Sequence, residues 1–181
     1  MFKNMNILET PSFKTLIFLG RHPRDSYYVR ELSKVLAIST GSASGQLREL
    51  EGSGLVKSEQ KGRTLLFRAD ISHTVVREAK IFATLLELSA FIAASQTGIA
   101  RMILFGSCAV GEDTSESDID LYIETTNRPA AKSLIARYEA DISRKISPII
   151  LSPEEGVQLR TRDRSLFDRI LAGKILVGEQ L

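Results

Sequence analysis

The chain has a single cysteine, Cys108, and only two histidines, His22 and His73, in its 181 residues. One thiol excludes an internal disulfide and a thiolate metal cage. The histidines are far apart in sequence, each in a loop, and no serine or aspartate spacing around them makes a triad. No run of about 18 apolar residues is present, which leaves no candidate membrane-spanning helix. The opening M-F-K-N-M-N lacks the long apolar core of a signal peptide. These absences point to a cytoplasmic protein with no membrane partner. Net charge is small as well, +2, but it is unevenly spread. Residues 1–70 hold 11 Lys/Arg against 7 Asp/Glu, and residues 71–181 hold 13 against 15. A basic first part joined to a mildly acidic second part indicates two jobs, the first on a polyanion. With 43% apolar and 25% charged residues the chain is globular, and its length fits one domain or two small ones.

Residues 1–70 read as three short helices and a hairpin. Thr10-Pro11 starts the first helix, with Phe13, Leu16, Ile17 and Leu19 on its apolar face. Ser26 caps a second, in which Val29, Leu32 and Leu36 recur at helical spacing. A third spans about Thr40 to Gly52, with Ala43, Leu47 and Leu50 inward and Gly41, Ser42, Gly45, Gln46 and Glu49 outward. Gly54-Leu55-Val56-Lys57 begins a strand, Lys61-Gly62 turns it, and Thr64–Phe67 returns. That order, with the L-x-x-L-E-x-x-G-L-V segment and the K-G-R turn, resembles bacterial and archaeal winged helix-turn-helix regulators of the ArsR/MarR type. The resemblance implies double-stranded DNA as a partner. Small polar residues at the start of the third helix, Ser39, Thr40, Ser42 and Gln46, would meet base edges. Lys57, Lys61 and Arg63 on the wing would meet phosphates.

Residues 71–96 form a linking helix with two apolar stripes. Val75, Ala79, Phe82, Leu86 and Ala90 make one, and Ile81, Leu85, Leu88 and Ile92 the other. Either one wide face lies on a core, or the second stripe meets another element or subunit. A homodimer with Phe82 or Phe91 near its interface is expected, as helix-turn-helix regulators usually pair.

From residue 97 strands and helices alternate. Strands are expected over Ile99–Phe105, Asp118–Glu124, Pro148–Leu151 and Ile175–Val177, and helices over Arg128–Lys145 and from Ser152-Pro153 towards Leu171. The chemistry sits in L-F-G-S-C-A-V-G-E-D-T-S-E-S-D-I-D-L-Y-I, Leu104 to Ile123. Gly106 and Ser107 close one strand, and Asp118 and Asp120 open the next. Residues two apart on a strand point the same way, so both carboxylates leave one face and make a hard-cation site suited to magnesium. Gly106 lets the backbone approach a phosphate, and the Ser107 hydroxyl can hold one. The stretch resembles the nucleotidyltransferase signature of the DNA polymerase β superfamily in its minimal form. That resemblance implies Asp118 and Asp120 as metal and, in an active member, catalytic residues, Gly106 and Ser107 as nucleotide-binding residues, and Mg2+ with a nucleoside triphosphate as cofactor and ligand or substrate.

The whole chain therefore resembles prokaryotic regulators that fuse the two modules. The expected architecture is α+β, with a winged helix-turn-helix over 1–70, a linking helix over 71–96 and a small α/β nucleotidyltransferase-like domain over 97–181. Three departures from that family stand out. Cys108 and Val110 replace arginines of its G-S-R-A-R-G loop, and Ser147 stands where a third carboxylate is common. The nearest acids, Glu154 and Glu155, suit a helix N-terminus. Cys108 reads as a small buried filler, and the run Arg160, Arg162, Arg164 and Arg169, interleaved with Asp163 and Asp168, as a solvated helix face. Two functions fit: a DNA-binding regulator whose C-terminal domain binds Mg–nucleotide, or an active, antitoxin-like nucleotidyltransferase that autoregulates through its winged helix. In the second case a HEPN-type protein is an expected partner. The missing acid and arginines favour the first.

Overall fold

The computed structural model describes residues 10–142 and 144–179; the M-F-K-N-M-N segment lies outside them. The chain is a mixed α/β protein of two compact units, Met1–Ala83 and Thr84–Leu181. The division falls within helix α4 (Thr74–Glu87).

In the first unit the order is α1 (Pro11–Arg21), β1 (Tyr27–Tyr28), α2 (Val29–Val35), α3 (Thr40–Gly52), β2 (Val56–Lys61) and β3 (Thr64–Ala69). The strands form an antiparallel sheet in the order β1-β3-β2. Leu16, Leu19, Leu32, Leu47, Leu50, Val56, Phe67 and Val76 make its core, so α1, α2, α3 and the hairpin all close on one apolar centre. The second helix begins three residues later than the predicted Ser26 cap. Tyr27 and Tyr28 instead pair with Phe67 and Leu66 of β3, as aromatic residues favour a pleated, half-buried surface, and the Glu31 carboxylate accepts the Tyr28 N–H at 2.9 Å. Ser39 caps α3, its Oγ accepting the Ser42 N–H at 3.0 Å.

The inter-unit helix also departs from expectation. It divides into α4 and α5 (Ser89–Ser95), with Leu88 in a turn between them, and neither proline nor glycine marks the break. Phe91 is fully buried in the second unit's core, so it is not available to an interface, whereas Val75 and Phe82 are exposed.

The second unit continues with β4 (Arg101–Phe105), α6 (Ser107–Val110), β5 (Ile119–Glu124), α7 (Arg128–Glu139), β6 (Ile146–Leu151), α8 (Pro153–Arg162), α9 (Arg164–Leu171) and β7 (Lys174–Val177). The sheet order is β6-β5-β4-β7, with β5 and β6 parallel and the other pairs antiparallel. α7 is the crossover that a parallel pair requires. Alternation splits the strands between two faces. Met102, Leu104, Ile119, Leu121 and Ile123 pack with Leu88, Phe91 and Ile135, while Ile103, Phe105 and Tyr122 pack with Ile170, Leu159 and Leu166.

The predicted helix to Lys145 ends at Glu139, whose Oε1 accepts the Ile146 N–H at 3.1 Å. The predicted helix from Pro153 to Leu171 is two, because the Asp163 side chain accepts the Leu166 N–H at 2.9 Å and caps a new start. Among the described residues no helix is long and apolar enough to cross a membrane.

Candidate functional site

Antiparallel pairing of β4 with β5 sets Phe105 opposite Asp120, so the residue after Phe105 arrives beside that carboxylate. Gly106 has φ 69° and ψ −156°, a region populated essentially by glycine alone. A Cβ built there would overlap the Asp120 carboxylate. The aspartate therefore lies directly on the Gly106 backbone, and Ser107 opens α6 immediately after it. Gly111, left-handed, closes that single turn.

Asp118 stands one residue before β5 with its side chain 45% exposed, and Lys145 Nζ lies 3.8 Å from its Oδ2. Asp120 is half-buried. Burial raises its carboxyl above the usual aspartate range and the Asp118 charge adds to this, while a hydrogen bond with Ser147 and the charge of Arg169 oppose it. The predicted residues Gly106, Ser107, Asp118 and Asp120 thus come together. Ser147 faces Asp120 across the β5–β6 register, the position inferred for a third acid. Glu155 is occupied elsewhere: it accepts the Ser152 N–H at 2.7 Å and pairs with Arg128. Among the described residues no group of three or more His, Cys, Asp or Glu could hold a metal. Two carboxylates on one strand end, Asp120 among them desolvated, fit a cation that keeps water and phosphate ligands, as Mg2+ does.

Behind the loop lies a buried polar cluster with no sequence signal. The Arg144 side chain is 4% exposed. Its Nη1 donates to Asp113 Oδ2 at 2.8 Å and to Cys108 Sγ at 3.3 Å. Its Nη2 donates to Glu87 Oε2 at 2.9 Å and Thr84 Oγ1 at 2.8 Å. Burial alone would lower its pKa; the facing Glu87 carboxylate, with Cys108 and Asp113, outweighs this and raises it. The Cys108 thiol in turn donates to the Asp118 carbonyl at 3.5 Å, and the Lys145 carbonyl accepts the Ile119 N–H at 2.8 Å. The C=O and the N–H of the single Asp118–Ile119 peptide group are thus held from two sides by segments that Arg144 anchors. Cys108 is the buried filler expected, and also a link in this chain.

In the first unit the candidate polyanion-binding residues separate. Ser39 and Thr40 are exposed at the α3 start, and Lys61 and Arg63 flank the exposed Gly62 turn. Lys57 pairs with Asp70 at 2.6 Å, and this contact holds the Asp70 carboxyl down at about 2. Gln46 corrects the reading. It is 7% exposed, accepts a hydrogen bond from Thr15 Oγ1 and donates one to Ser42 Oγ, each at 2.6 Å. Its side chain joins α1 to α3 inside the unit and cannot reach outward, and it also occupies the Ser42 hydroxyl. The outward face of α3 carries Ser44 and Arg48. They line a groove of about 740 Å3 with Tyr28, Arg30, Arg63 and Phe67. Helical spacing from Ala43, Leu47 and Leu50 holds part of that signal, since 48 falls away from the core while 44 and 46 flank it on either side.

Residues 90–180 match the family described as polymerase beta, nucleotidyltransferase. Among solved structures, two variants of Lactococcus lactis ZitR, one of them in complex with DNA, are similar to this chain. Each is 21% identical with a TM-score of 0.36, over 52% of this chain and 66% of the ZitR chain, so this chain spans just under two thirds of theirs. At that score the likeness carries no argument. No curated protein matches.

Proposed function

The chain belongs to the polymerase beta nucleotidyltransferase family through residues 90–180, and on that premise we propose that it is a DNA-binding transcriptional regulator whose second unit binds a magnesium–nucleoside triphosphate complex. The observation that carries the reading is the pairing of an intact Asp118–Asp120 cradle on Gly106 with a serine, Ser147, opposite Asp120. Asp118 and Asp120 would hold the cation, whose two positive charges would offset those of the two carboxylates. Gly106 leaves its backbone accessible to a phosphate, and Ser107 offers a hydroxyl. Ser147 orients Asp120 by its hydrogen bond but is no base for an attacking hydroxyl, and Glu154 and Glu155 serve the α8 start. This arrangement favours binding over transfer.

Ligand that binds only the folded state stabilises it by about 2.7 kcal/mol at a hundredfold excess over its dissociation constant. ATP with Mg2+ is therefore expected to raise the melting temperature of the wild-type chain. Asp118→Asn with Asp120→Asn should abolish that rise while the protein stays folded. An equal response of wild type and double variant, measured by calorimetry, would refute the site. Incubation with labelled ATP and Mg2+ should show retention without transfer; efficient transfer would establish the antitoxin-like enzyme instead.

The first unit supports a winged helix-turn-helix reading through its order of three helices and a hairpin turned at Lys61-Gly62. In that reading α3 enters the major groove of double-stranded DNA, with Ser44 and Arg48 at base edges, and Arg30, Lys61 and Arg63 meet phosphates. Neutralising Lys61 and Arg63 together should weaken binding to every duplex and flatten the salt slope by about 2. Arg48→Ala should relax preference at one base pair, with a loss of about 1–3 kcal/mol. Gln46→Ala should cost fold stability and leave base preference unchanged. Fluorescence anisotropy across duplexes and salt concentrations reads all three, and a complete lack of salt-sensitive binding would make this unit a protein-contact module.

A further inference from the structure

Cations reach the aspartate end of the sheet from elements other than the Gly106–Ser107 loop, whose next positions are occupied by Cys108 and Val110. α9 crosses the face of the sheet with Ile170 fully buried against Ile103 and Phe105. That seating carries the preceding residue, Arg169, over the strand end, its Cζ 5.9 Å from the Phe105 ring centre. Phe105 is the residue before Gly106 and the register partner of Asp120. The guanidinium is exposed, and its field is felt at Asp120. Lys145 is fixed from another side, since its carbonyl accepts the Ile119 N–H. Its side chain is 73% exposed, with Nζ 3.8 Å from Asp118 Oδ2, a loose surface pair that exchanges at little cost.

We propose that Arg169 and Lys145 are the phosphate-contacting cations of this site, taking the polyphosphate tail of a nucleoside triphosphate in place of cations on the loop itself. The inference rests on the reading that the Asp118–Asp120 cradle binds a Mg–nucleotide complex. A triphosphate carries more negative charge than one divalent ion neutralises, so a cradle offering only two carboxylates would repel the complex it holds. Arg169 and Lys145 bring the four side chains to neutrality before ligand arrives. Arg169 has the planar fork that suits phosphate oxygens, and Lys145 supplies a point charge that leaves Asp118 as the cation takes that carboxylate. The contacts fall on the tail, so they discriminate by phosphate number and not by base.

Isothermal titration of the full chain with ATP, ADP and AMP, each with Mg2+, tests this. Wild type should bind ATP tightest and AMP weakest. Arg169→Gln and Lys145→Gln should each weaken ATP binding roughly tenfold, leave AMP binding unchanged and so compress the ranking. The melting temperature without ligand should not move, because both side chains are exposed, and Arg169→Lys should recover part of the ATP affinity. Wild-type affinity and ranking in both glutamine variants would overturn the inference while leaving the Mg–nucleotide reading intact. Failure of the wild type to bind any of the three nucleotides would overturn that reading, and this inference with it.

Discussion

Replacing Arg144 by methionine is expected to destabilise the protein by about 3–5 kcal/mol, the cost of removing one partner from a buried charge cluster. The Arg144 side chain is 4% exposed and the Asp113 side chain fully buried. Methionine fills much of the volume but donates nothing. Asp113 and Glu87, the latter 19% exposed, would then face each other without the cation between them. The loss should come from their charge and not from lost packing. Arg144→Met combined with Asp113→Asn and Glu87→Gln should therefore recover much of the stability, since replacing a whole buried ion cluster by neutral groups is often close to neutral. Urea denaturation of the single, double and combined variants, followed by circular dichroism, gives the coupling energies. Additive losses across the series would show that Arg144 acts only by filling space.

Arg144 also shows where sequence reading stops. Its partners Asp113 and Thr84 are 31 and 60 residues away, and its place in the expected Arg128–Lys145 helix carries no signal for either. Only the tertiary fold brings two acids around it. Gln46 misled for the same reason in reverse. Its place on α3 borders the core, and the decision to bury it is made by Thr15 on another helix. The two tyrosines at 27 and 28 form a strand because β3 lies 40 residues downstream, which no local cap signal conveys. By contrast the turn at Gly106 and the placing of Asp118 and Asp120 together were legible, because strand alternation and a glycine-only turn are local constraints. The family resemblance marked Ser147 as standing where a third acid is common, but its place directly opposite Asp120 comes only from the β5–β6 register. Arg169 was read as part of a solvated face. It is exposed, yet the packing of its neighbour Ile170 carries it over Phe105, the register partner of Asp120, a consequence of sheet topology and not of its own helix.

Gly106→Ala should strike stability and ligand response together. The backbone at φ 69° and ψ −156° is one that a side chain enters at a cost of about 1–3 kcal/mol. The new methyl would also meet the Asp120 carboxylate, so either that carboxylate turns away from its place or the loop shifts. Both outcomes separate Asp120 from the Gly106–Ser107 backbone and should remove the Mg–ATP-dependent rise in melting temperature. The two effects can be told apart by a cycle with Asp120→Ala. Without the carboxylate the overlap disappears and only the backbone strain is left, so Gly106→Ala should cost less in that background than in the wild type. A coupling above about 0.5 kcal/mol is the mark of residues in contact. If the two losses instead add, the glycine is needed for its turn alone. Asp120 then sits where it does because of β5 and Ser147, and Ser147→Ala becomes the substitution that should displace it.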